Sequence, residues 1–158
     1  MTPAFIFLLA LAIGIVAGLR SLTAPACVAW AAYLGWLHLH STPLSFMSSA
    51  ITVGIFTVLA IVELIADQLP SAPARTAPVG LLARIITGGL CGASLALAGS
   101  QSFALGALLG AAGGIAGAFG GYQARTGLVK ALKVRDLVIA LAEDAVAIAT
   151  GLFIVTRF

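Results

Sequence analysis

Charged side chains are so sparse in this chain that apolar segments of membrane-crossing length follow one another from end to end. Of 158 residues, 61% are hydrophobic and 8% are charged, whereas soluble domains carry about 25% charged residues. A fold of this size keeps much of its surface in contact with solvent, so a soluble core cannot hide so much apolar area. Lipid is the solvent that this composition fits. In lipid every backbone N–H and C=O must be satisfied internally, which makes helices the default, and about 20 apolar residues suffice to cross. Segments 3–19, 46–69, 79–98, 103–122 and 137–155 reach that standard, and 22–39 nearly does. The expectation is an all-α, polytopic transmembrane helical bundle of six helices, one integral membrane domain over residues 1–158. The 22–39 helix is short, with Pro25 near its start and His38 and His40 near its end, and it either crosses fully or re-enters.

Lys and Arg collect on the cytoplasmic side of membrane proteins. The basic stretches 75–84 and 125–135 are separated by two spans, so both belong to that face. A full crossing by 22–39 adds Arg20 to the same face and puts both termini outside. The apolar start lacks the basic n-region of a signal peptide and is read as a retained helix. These features predict a multi-pass protein of the bacterial cytoplasmic (inner) membrane. Its first partner is the lipid bilayer, and nothing in a net charge of +3 calls for nucleic acid.

Cys27 and Cys91 sit inside apolar runs, where a thiol behaves as a small hydrophobe. Trp30, Tyr33 and Trp36 fall toward the outer end of 22–39, as interfacial aromatics do. His38 and His40 make too small a set for a metal site. Glycine concentrates in the 103–122 helix, where Gly106, Gly110 and Gly114, and separately Gly113, Gly117 and Gly121, recur every four residues. Two flanks of that helix therefore lack side chains and permit close backbone packing, either within the chain or in a homo-oligomer, or else the passage of a ligand along the smooth face.

Chemistry is to be sought among the few ionisable residues. Acidic groups inside a membrane are expensive unless paired or hydrated and are functional candidates by default. Glu63 and Asp67 lie four apart and share a helix face; Glu143 and Asp144 lie about two turns into the last span. Asp136, Ala140, Glu143, Ala147, Thr150 and Gly151 form a small and polar stripe on that span. Arg20, Arg75 and Arg125 can neutralise these acids, either as mere helix fasteners or in a shared site. The expectation is one polar cluster of Arg20, Glu63, Asp67, Arg75, Arg125, Glu143 and Asp144 toward the cytoplasmic side, binding a substrate or ion. No phosphate-cradling loop, zinc-spaced ligand set or nucleophile elbow is present, so no cofactor, metal or catalytic residue is assigned.

Gly18-Leu19-Arg20-Ser21-Leu22-Thr23-Ala24-Pro25, Glu63-Leu64-Ile65-Ala66-Asp67-Gln68-Leu69-Pro70, Ala74-Arg75-Thr76-Ala77-Pro78, Gly120-Gly121-Tyr122-Gln123-Ala124-Arg125-Thr126 and Glu143-Asp144 resemble the bacterial membrane family catalogued as domain of unknown function 4126. The resemblance covers nearly the whole chain. It implies a multi-span inner-membrane protein and supplies no reaction. On the residues themselves, the leading reading is a transporter or channel for an ion or small solute. A membrane enzyme acting on lipid head groups and a structural membrane subunit stand as alternatives.

Overall fold

The computed structural model describes residues 1–67, 77–132 and 136–158. Among them there are six α-helices and no strand: α1 (Pro3–Leu19), α2 (Thr23–Tyr33), α3 (Ala50–Ala66), α4 (Pro78–Ala98), α5 (Phe103–Leu132) and α6 (Asp136–Val155), with a 3-10 turn at Ser45–Ser48. Three helices, α4, α5 and α6, are long and apolar enough to cross a membrane, and α1 and α3 are shorter apolar helices. The fold is a helical membrane bundle, as the apolar run lengths predict.

Helix ends follow local chemistry. Thr2 caps α1, accepting from the Phe5 N–H, with Pro3 in the first turn; Ser49 does the same for α3 through the Ile51 N–H. The 22–39 segment is helical only as far as Tyr33. Gly35, at φ +82°, takes the left-handed position. Trp36 N–H then reaches Ala31 O and Gly35 N–H reaches Ala32 O, a Schellman closure that ends the helix. The α4–α5 turn repeats the device with Ser100 at φ 55°, as Gln101 N–H reaches Ala96 O and Ser100 N–H reaches Leu97 O. α5 runs ten residues past its expected end at residue 122. Its 30 residues span about 45 Å at 1.5 Å per residue, more than the roughly 30 Å of a hydrocarbon core.

The centre is a three-helix packing of α1, α4 and α5 built on glycine. A Cβ added at Gly110 would overlap Gly88 backbone, at Gly114 the Arg84 carbonyl, at Gly113 the Leu11 carbonyl and at Gly117 the Ile15 carbonyl. One flank of α5 thus lies on α4 and the other on α1, and van der Waals contact between bare backbones holds the trio in lipid. Gly106, Gly110 and Gly114 pack on α4, and Gly113 and Gly117 on α1, within the chain.

α2 is enclosed, with Ala24, Val28, Ala29, Ala31 and Ala32 fully buried, whereas α3 buries only Val53 and Ala60. The two are antiparallel: the start of α2 meets Glu63, and Trp30 Nε1 donates to Thr57 Oγ1 at 3.0 Å. Gly18 faces Gly114 and Gly117 while Gly99 faces Ile6. The ends of α1, α3 and α5 and the starts of α2, α4 and α6 therefore share one end of the bundle. The chain from Leu22 to Ala50 travels from that end to the other as α2, then as irregular backbone and the 3-10 turn, with Leu37, Leu39 and Met47 buried.

Candidate functional site

The site lies where α1 stops. Leu19 is its last helical residue, and Arg20 follows in extended conformation, its N–H still bonded to Val16 O at 2.8 Å. This leaves the Arg20 side chain 0% exposed. Two carboxylates from different helices meet it: Arg20 Nη1 donates to Asp67 Oδ2 at the end of α3, and Nη2 faces Asp144 Oδ1 of α6. Asp144 is nearly as buried as Arg20, while the Asp67 side chain keeps 23% of its exposure. One cation between two anions leaves the trio with a net negative charge.

Glu63 lies one helical turn before Asp67 on α3. Its Oε1 accepts from Ser21 N–H at 2.8 Å and Ser21 Oγ at 2.6 Å, and its Oε2 accepts from Leu22 N–H at 2.8 Å. These donors stand at the start of α2, whose N-cap Leu22 offers no side-chain acceptor. Helix N-termini carry unsatisfied N–H groups and partial positive charge, and Glu63 satisfies both from across the bundle.

Arg84 enters the sequence analysis only as the end of a basic stretch, yet it is one of the buried charged residues. It is buried in α4, donating through Nε to Gly18 O at 3.0 Å and through Nη1 to Gly80 O at 2.9 Å. It ties α4 to the end of α1 two residues before Arg20. An arginine six residues into an apolar helix was itself the signal, since intramembrane charge is rarely idle.

Arg125 does not join the trio. It pairs with Asp136 through Nε to Oδ1 at 2.9 Å and Nη2 to Oδ2 at 2.5 Å, fastening the end of α5 to the start of α6. It also lines, with Glu143, an apolar cleft of about 280 Å³ whose walls include Leu19, Leu128, Ile139 and Val146. Glu143 does not lie on the inward face of α6. That face is Ala140, Asp144, Ala147 and Gly151, one position round from the expected stripe, and Asp136 and Thr150 are exposed. The packing of Gly151 against Cys27 and Val16 sets this rotation. The expected single cluster is therefore two neighbouring groups: Arg20, Asp67 and Asp144 with Glu63, and Arg125 with Asp136 beside Glu143. Arg75 falls outside the described residues.

Cys27 and Cys91 are free and buried, and His38 and His40 are exposed. Among the described residues no group of three His, Cys, Asp or Glu is placed to hold a metal ion.

The model of the family described as Domain of unknown function (DUF4126) matches residues 7–156, nearly the whole chain. No curated protein and no solved structure matches this chain.

Proposed function

We propose that this chain, which belongs to the family described as domain of unknown function 4126, is a small transporter or channel for an ion or small solute. In this reading the whole chain forms one integral domain of the bacterial inner membrane, with the Arg20 end cytoplasmic and both termini outside. The observation that carries it is the fully buried Arg20 shared by Asp67 and Asp144 beside a discontinuous crossing, the short α2 and its irregular continuation. Irregular backbone at membrane depth is tolerated where it is buried or lines a path, and broken helices beside charged residues mark transporter sites. A fastener needs one anion per cation, and Arg20 has two. Asp67 sits on the sparsely buried α3 and keeps some exposure, so a shift of α3 would release it and leave Arg20 paired with Asp144. Ion pairs with two arrangements of similar energy are what an alternating site requires.

Purified protein in proteoliposomes tests this reading. Under an imposed potential or gradient of protons, sodium, potassium or chloride, wild type is expected to pass at least one of these ions. Asp67→Asn and Asp144→Asn should each abolish that flux while remaining folded. Absence of flux for all four from folded wild-type protein would reject the ion-transport reading.

A second reading, an enzyme acting on lipid head groups, draws on the cleft between α5 and α6. Its apolar walls suit an acyl chain, and Arg125 and Glu143 stand in its lining. Turnover of phospholipid by the purified protein, lost on Glu143→Gln, is the result that would favour it.

A further inference from the structure

We infer that the turn formed by Ser21, Leu22 and Thr23 is a binding site for a small monovalent anion, and that Glu63 occupies it in this structure. Glu63 is held as a bound anion is held. Its two oxygens take two consecutive backbone N–H groups and a hydroxyl, all at 2.6–2.8 Å, and successive N–H groups turned to one side form anion-binding concavities. The turn opens an 11-residue helix, whose N-terminus favours negative charge. Among the described residues no cation pairs with Glu63, so these donors are what balances its charge.

A second, independent feature points to a ligand. The Thr23 hydroxyl is buried with no hydrogen-bond partner, and a buried polar group left unsatisfied costs about 1–3 kcal/mol. Thr23 lines a cleft of about 160 Å³ between α2, α3 and α6, where Ala60 and Leu64 flank Glu63 on α3. Arg20 Nε, directly before the turn, is likewise without a hydrogen-bond partner among the described residues. The Thr23 hydroxyl, one residue past Leu22, would be one more donor to an anion seated at the turn. Ile61, Ile148 and Leu152 make the rest of the cleft apolar, and the Arg20 trio already carries net negative charge. Both facts disfavour multivalent, strongly hydrated anions and leave those of carboxylate or halide size.

Glu63 and the anion compete for the same donors, so the carboxylate must leave before the anion enters. The site rests on the transport reading for its role, and its existence is measured without flux. Thermal unfolding of detergent-solubilised wild type, Glu63→Ala and Glu63→Gln, each in formate, acetate, chloride and sulfate at matched ionic strength, provides the test. Formate, acetate or chloride should raise the Tm of Glu63→Ala by about 2–4 °C relative to its effect on wild type, and sulfate should not. A carboxylate-only response and a halide response separate the two kinds of ligand. Adding Thr23→Val to Glu63→Ala should shrink the response. Equal responses of wild type and both variants would overturn the site, as would failure of both variants to remain folded in every salt, because a filled turn should hold the fold. Anion rescue without ion flux would sink the transport reading and leave the site; flux without rescue would do the reverse.

Discussion

Arg20, itself fully buried, carries one positive charge between two carboxylates, so its removal is worse than the removal of either partner. Arg20→Ala leaves Asp67 and Asp144 close together without a cation, and breaking a buried pair in this way costs about 3–5 kcal/mol. Asp67→Asn leaves Arg20 with Asp144 and relieves the surplus negative charge, so it should cost much less. Denaturant titration of the two variants in detergent measures the difference. Equal destabilisation would show that Asp67 and Asp144 do not share Arg20. Arg20→Lys should fall between them, since a single ammonium lacks the guanidinium fork that engages two acceptors at once.

Among the helices, α5 is the one whose backbone the others touch. Gly117→Leu would drive a side chain into the Ile15 carbonyl and the Gly18 Cα, where backbone on both sides cannot move aside. Overpacking of a close-fitting core costs about 1–3 kcal/mol when side chains yield, and here more is expected. Gly120→Leu meets open space and serves as its control. Thermal stability in detergent should fall for the first and stay near wild type for the second; equal values would mean that α5 is not packed between α1 and α4. α3 stands at the other extreme. It is held along α2 by the Trp30–Thr57 hydrogen bond and at its end by Glu63 and Asp67. Few buried contacts and a polar anchorage make it the helix with the least to lose on moving.

Across the whole molecule, alternating helix direction collects Arg20, Arg84, Arg125 and Lys130 at one end and the Ser100 turn at the other. With the native cysteines replaced by alanine, Ser100→Cys and Lys130→Cys should label from opposite sides of the membrane, Lys130→Cys from the cytoplasm. Labelling of both from the same side would overturn the threading. The sequence by itself determined the membrane class, the helical fold, the limits of α1 and α4 and the grouping of charge at one end. Apolar run length, proline and basic residues act locally along the chain, so no partner is needed to read them. Gly35 was a legible stop signal as well, and reading it would have ended α2 at Tyr33. Only the tertiary structure decided that Arg20 meets Asp67 and Asp144, that Glu63 caps α2, and that Arg125 turns instead to Asp136. These partners come from helices far apart in sequence. Their meeting depends on how each helix is rotated, which is set by glycine contacts such as Gly151 on Cys27 and Gly114 on Arg84 and not by any spacing of the charges themselves.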